Sequence, residues 1–491
     1  MKTSELINAP ASKISQMITN GDLTCVDVVA AYAERRAKLN PILHSYVYED
    51  TENAITQAKQ IDRKLAEGFR SPLLGSTLAV KDVISVEGLP LTAGSRILRG
   101  YVSPYDATVV ARLRRQGCVI VGMTNTDEFA MGSSTENSSY GPSINPWAED
   151  RVPGGSSGGS AVSVSAGLSA MALGSDTGGS VRLPAAFTGV YGLKPTYGSV
   201  SRYGLIAFSN SIEQIGFFAR CVEDLREVYY ASAGLDGRDG TTFDIEANRD
   251  RGAPERPRVG LAKQAFSEGV EPAVSKRLLD VADRLKSLGC TVEEVDLPYF
   301  DKCLPAYYLI AMSEASTNLA RFDGVRYGVH PTFQNGWEEE YPLVRSLFGQ
   351  EVKRRILMGA FALSAGFYDM YYDAAARFRT LLIQAYDRVF GKFDALLLPT
   401  AATPAFRLGE RMLDPLTMYL TDVFTVPANL VGAPALSVPC GTTAYQGCTL
   451  PLAVQFMAQR KGEPTLFRLA KMLEDAKVAE CVSVDPWGRP V

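Results

Sequence analysis

The segment 160–173, "SAVSVSAGLSAMAL", is small or apolar on nearly every side. A helix that is apolar all round has no face for water and belongs in a core. Two runs of glycine and serine bracket it, "GGSSGGS" at 154–160 and "SDTGGS" at 175–180. A flexible Gly/Ser linker crosses solvent between domains. These runs lead straight into buried chain instead. Any fold for this sequence must therefore carry glycine-rich polar turns at its centre.

The flanking text supplies the architecture. "GSTLAVKD" predicts a short strand with Lys81 at its end. "DATVVARLRRQG" predicts a helix closed by Gly117, and "CVIVGMTN" a buried strand. "PRVGLAKQ", "AVSKRLLDVADRLKSLG" and "CTVEEVDLP" repeat the strand–helix–strand order. That order implies an α/β fold with a mostly parallel or mixed sheet. Upstream, "TCVDVVAAYAERRAKLN" reads as a helix with Thr24 as N-cap, and "DTENAITQAKQIDRKLAEG" as a helix ended by Gly68. The expected organisation is an N-terminal helical region, 1–70, packed on a body spanning 71–491. Within that body, 236–258 reads as a surface connection and 304–390 as a helix-rich insertion. "FDALLLPTAATPA" reads as a strand entering a Pro-rich loop, "VPANLVGAPALSVPCG" as strand-like text, and 464–476 as the last helix.

Composition narrows the class. The 491 residues are 46% hydrophobic and 21% charged, which excludes wholesale disorder. A net charge of -4 gives no global basic excess for wrapping nucleic acid. The eight cysteines form no C-x-x-C pair, so neither a zinc site nor a disulfide framework is expected. The first residues lack a continuous apolar stretch, and no run of about 18 apolar residues occurs. No secretory signal, no membrane span and a cytoplasmic location are the expectations.

The Gly/Ser runs admit three chemistries. A P-loop requires a lysine after the second glycine, and Ser160 and Ala161 stand there. The nucleophile elbow G-x-S-x-G occurs twice, but "NPWAEDRVP" before it is no strand. Its triad would also need His330, which reads as an ordinary loop residue; His44 is the one other histidine. The third reading is a hydroxyl nucleophile driven by lysine. Burial lowers a lysine's pKa and makes it a competent base. Lys81 is the candidate, although an exposed strand-terminal lysine is the commoner arrangement. In "SDTGGS", Gly178 and Gly179 let the backbone turn tightly enough for successive N–H groups to face one oxyanion. Ser180 stands at the end of that turn.

"GGSSGGS", followed by "ALGSDTGGSVRLPAAFTGVYGLKPTYG" and preceded by "AVKD", resembles the amidase signature family. "NTDEFAMGSSTENSSYGPSINPW", "VSRYGLIAFSNSIEQIG", "SEASTNLARFDGVRYG" and "FGQEVKRRI" resemble, within it, the glutamine-hydrolysing components of tRNA-dependent amidotransferases. The resemblance covers about residues 5 to 475. It implies a central mixed, twisted sheet covered by helices on both faces. It also implies a triad in which Ser180 is the acyl-enzyme nucleophile and Ser156, after a cis bond to Gly155, bridges to Lys81. The amides of Thr177, Gly178, Gly179 and Ser180 would form the oxyanion hole. Tyr307, Arg355 and Asp422 would bind glutamine, the last two at its carboxylate and ammonium.

The same resemblance implies no metal or cofactor in this chain, with ATP and Mg acting in a partner. The implied protein partners are a B-type kinase-like transamidase and a small C-type subunit. Through the complex, Glu-tRNA(Gln) or Asp-tRNA(Asn) is implied as well. Leu183, Phe217, Ala453 and Ala458 depart from the family's usual Gln, Pro, Gly and Gly. A stand-alone amidase of the same family would fit an apolar residue at 355 or 422. A silent scaffold subunit would fit loss of Lys81, Ser156 or Ser180. None of these losses has occurred.

Overall fold

The computed structural model describes residues 3–246, 252–331, 334, 336–481, 483–487 and 489–490. Eleven strands form one sheet: β1 (Tyr46–Glu49), β2 (Thr77–Lys81), β3 (Val119–Thr124), β4 (Met171–Asp176), β5 (Tyr191–Lys194), β6 (Gln214–Ala219), β7 (Arg258–Ala262), β8 (Thr291–Val295), β9 (Ala395–Pro399), β10 (Ala435–Tyr445) and β11 (Cys448–Ala458). Their spatial order is β1-β3-β2-β4-β6-β5-β10-β11-β9-β7-β8. β2 pairs in parallel with β3 and β4, and β7 with β8 and β9. The pairs from β4 through β6, β5, β10 and β11 to β9 are antiparallel, so the sheet is mixed. Every residue of β2 to β6 is buried, which requires cover on both faces. Helices flank the sheet and supply that cover, and one continuous core runs from Leu6 to Ala479.

The predicted helices near the N-terminus form for the expected local reasons. Cys25–Leu43 starts at Thr24, whose side chain accepts from the Asp27 N–H while Asp27 reaches back in a capping box. Thr51–Ala66 starts on an Asp50 cap. The edge strand β8 has no fully buried residue. Part of the expected 236–258 connection, 247–251, lies outside the described residues.

Two expectations are corrected. The apolar segment 160–173 is not one helix. The helix Gly158–Ser165 stops, Gly167 turns at φ +64°, and the chain returns as β4. β4 lies between β2 and β6 and is buried on both faces, and such a strand is as continuously apolar as a buried helix. Similarly, "VPANL" at 426–430 is a short helix, and strand begins only at Ala435.

Candidate active site

β2 and β4 run parallel, with Val80 beside Leu173, so both strands end at the same edge of the sheet. That edge is where α/β sheets expose groups to ligands. Lys81 ends β2, and the 177–180 turn follows β4 directly. The helix Gly158–Ser165 runs back over the sheet and places Ser156 at the same edge. The Ser157 N–H donates to the Ser180 carbonyl at 3.1 Å, tying the two Gly/Ser turns together.

Lys81 is fully buried, not an exposed strand terminus. Its Nζ donates to Ser156 Oγ at 2.7 Å and to Ser175 Oγ at 2.9 Å. Burial lowers its pKa to about 7, against the opposing pull of Asp127, Asp176 and Glu213. A lysine so placed is substantially neutral near physiological pH. The peptide bond between Gly155 and Ser156 is cis. Ser156 has no exposure, whereas Ser180 keeps 8%.

The turn itself is held from behind. Asp176 accepts from Arg182 Nη2 at 2.9 Å and Nε at 3.0 Å, and from Asn429 Nδ2 at 3.0 Å. Burial works against its ionisation, but the Arg182 charge prevails and holds the carboxyl at about 2. The expected four-amide cradle is changed here. The Gly179 N–H donates to Asp176 Oδ1 at 2.9 Å, so that amide is spent on the turn. Among the described residues no such bond engages the N–H groups of Thr177, Gly178 or Ser180. These three remain available for an oxyanion. Glycine is needed at 178 because a Cβ would stand 2.5 Å from the Tyr307 ring.

Tyr307 and its neighbour connect this turn to the charged pair. Their rings lie 4.9 Å apart in the helix Phe300–Asn318. The Tyr308 hydroxyl donates to Asp422 Oδ2 at 3.2 Å, and Ser133 Oγ donates to the same oxygen at 2.9 Å. Burial raises the Asp422 carboxyl to about 7, opposed by the Ser133 hydrogen bond and the charge of Arg355. Arg355 is buried in a box of rings, 5.5 Å from those of Tyr308 and Tyr419 and 5.6 Å from Phe208. The structure thus links the sequence-derived candidates in a series: Lys81 to Ser156, Gly178 to Tyr307, and the adjacent Tyr308 to Asp422 and Arg355. Sequence reasoning missed Ser133, Ser175, Asp176, Arg182 and Tyr308. For Tyr308 the adjacent-tyrosine pair "AYYLIA" was a usable signal; for Ser133 and Ser175 there was none.

Among the described residues no group of three or more His, Cys, Asp and Glu side chains is placed to hold a metal ion. No described helix is long and apolar enough to cross a membrane. His330 is an exposed loop residue whose Nδ1 pairs with the Gly324 carbonyl at 3.0 Å.

A buried lysine bonded to one serine, with a second serine on an adjoining glycine-rich turn, is a set of groups suited to acyl transfer. In agreement, the amidase family model matches residues 27–467, and the chain belongs to that family. The A-type subunit of the glutamyl-tRNA(Gln) amidotransferase of Acidothermus cellulolyticus is 47% identical over 482 residues, covering 96% of this chain and 95% of the relative. The protein of the same name from Methanosarcina acetivorans is 49% identical, covering 91% and 93%. Among solved structures, the A-type subunit of the Thermotoga maritima glutamyl-tRNA(Gln) amidotransferase matches with TM-score 0.76 and 37% identity over 96% of this chain and 98% of its own. The peptide amidase of Stenotrophomonas maltophilia matches with TM-score 0.79 and 29% identity over the same shares.

Proposed function

We propose that this chain is the glutamine-hydrolysing subunit of a tRNA-dependent amidotransferase. The observation that carries the reading is the pairing of the Lys81–Ser156 contact with a buried Arg355 and Asp422 beside the Ser180 turn. A stand-alone amidase acting on an apolar amide has no use for two opposite charges there. Glutamine needs both, one for its carboxylate and one for its ammonium. The names of the near-full-length relatives support the same reading.

In this mechanism neutral Lys81 takes a proton relayed through Ser156, and Ser180 Oγ attacks the glutamine carboxamide carbon. The amides of Thr177, Gly178 and Ser180 hold the oxyanion, with the Gly179 amide fixing the turn through Asp176. The proton returns through Ser156 to the departing nitrogen. Ammonia leaves, and water attacks the γ-glutamyl ester to free glutamate and Ser180. Tyr307 lines the pocket, Arg355 binds the α-carboxylate and Asp422 the α-ammonium.

Ammonia released to water near pH 7 becomes mostly ammonium, so a shielded path to a second site is required. The reading therefore includes a B-type subunit that uses ATP and Mg, together with a small C-type subunit. It also includes a Glu-tRNA(Gln) or Asp-tRNA(Asn) acceptor and a cytoplasmic setting. It treats 1–70 as a helical region packed on an amidase body of 71–491. The test is glutamine hydrolysis by the chain assembled with its partners. Wild type hydrolyses glutamine and Ser180→Ala does not; an inactive wild-type assembly overturns the reading.

A further inference from the structure

Glu351 lies one helical turn before Arg355 in the helix Gln350–Leu363, and glutamine hydrolysis as derived above gives it no role. Its Oε1 accepts from Arg355 Nε at 2.8 Å and from the Tyr419 hydroxyl at 2.9 Å. Arg354 donates to its other oxygen. Tyr419 stacks on Tyr308 with ring centroids 4.1 Å apart and planes at 28°. Tyr308 in turn holds Asp422. One carboxylate oxygen is therefore the common anchor of a closed chain that ends at both charged groups of the clamp.

The arrangement leaves Arg355 correctly divided. Its Nε is taken by Glu351, while neither terminal nitrogen donates to a described residue. A cavity of about 80 Å³ lies against Arg355, Glu351 and Tyr419, lined also by Gly132 and Asn137. The guanidinium is planar, so a bond at Nε fixes the plane in which the terminal nitrogens point. The three ring faces pack on the guanidinium without direction of their own, whereas a hydrogen bond sets its orientation. Among the described residues, Glu351 is the hydrogen-bond partner that fixes its plane.

We infer that Glu351 is a positioning residue for substrate recognition: its bond to Arg355 Nε aims that guanidinium at the α-carboxylate. The inference rests on the proposed clamping of glutamine by Arg355 and Asp422. It predicts specificity for the carboxylate end of the amino acid from a residue that does not touch it.

The test is steady-state glutaminase kinetics of the assembled enzyme with L-glutamine and with its α-carboxamide, which lacks the carboxylate. Losing a charge-assisted bond of this kind corresponds to roughly 10-fold or more in binding. Glu351→Ala is expected to raise KM for L-glutamine by about 10-fold with kcat little changed. The same variant should barely alter kcat/KM for the α-carboxamide, and Glu351→Gln, which keeps an acceptor, should recover part of the loss. Arg355→Ala is the control for the clamp itself. If Arg355→Ala leaves KM unchanged, the clamp reading fails. If Arg355→Ala raises KM and Glu351→Ala does not, the clamp stands and the role of Glu351 is overturned. Should Glu351→Ala fail to fold, Tyr419→Phe, which removes one hydroxyl from the same oxygen, must still raise KM for L-glutamine selectively; equal loss on both substrates overturns the inference.

Discussion

The pH profile of glutamine hydrolysis follows from the burial of Lys81. With an ordinary lysine pKa of 10.5, about 0.03% of the side chain is neutral at pH 7; at about 7, roughly half is. The protein environment thus multiplies the population of competent base by about three orders of magnitude. A second group titrates in the same range. Asp422, raised to about 7, is ionised above that pH and loses its charge below it. Protonated Asp422 cannot attract the substrate ammonium, so KM rises as pH falls.

The two effects separate because the bound ammonium holds Asp422 ionised in the complex. Lys81 then governs kcat, and both groups govern kcat/KM. Below about pH 7, kcat should fall close to tenfold per pH unit and level off above about pH 8. The fall of kcat/KM should be steeper, and Asp422→Asn should remove the excess slope. The assay is glutamate release from the assembled enzyme between pH 5.5 and 9.5, at saturating and at low glutamine, on the order of ten points each. A kcat flat across this range, or still climbing at pH 9.5, refutes a buried lysine base.

Three further outcomes follow from contacts around the turn. In Gly155→Ala the new Cβ would stand 2.2 Å from Asp127 Oδ2 and 2.5 Å from the Ser134 amide. Overpacking of that kind costs about 1–3 kcal/mol, and a thermal melt should show the loss even before activity is measured. Arg182→Met strands the buried, ionised Asp176, which costs about 3–5 kcal/mol by chemical denaturation. Adding Asp176→Asn should return part of that stability; no recovery contradicts the pairing argument. Tyr308→Phe withdraws one of two hydroxyl donors from Asp422 Oδ2 and so moves the acid limb of KM to higher pH. An unshifted limb there means that Ser133 and Arg355 set the carboxylate without Tyr308.

The strand ending at Lys81, the Thr24-capped helix and the βαβ order were legible because each depends on neighbours in sequence. The burial of Lys81 was not legible. It is produced by Ser175 on the adjacent strand and Ser156 on a separate turn, 94 and 75 residues away. The segment 160–173 was misjudged because all-round apolarity describes a central strand as well as a buried helix. Only Gly167, at φ +64°, marks where one becomes the other. The fate of the Gly179 amide was equally hidden, since it depends on where Asp176 turns its carboxylate. Arg355, in a run of charges that reads as a solvated face, is buried because three rings from distant segments close over it.

The central claim is that Ser180 becomes acylated through a proton path running over Ser156 to Lys81. Its most direct test is rapid acid quenching of the assembled enzyme during turnover, followed by mass spectrometry of the peptide that carries Ser180. The account predicts a γ-glutamyl adduct on Ser180 in wild type, none in Ser180→Ala, and a strongly reduced rate of its formation in Lys81→Met. An adduct on another residue, or glutamine hydrolysis persisting at the wild-type rate in Ser180→Ala, would contradict it.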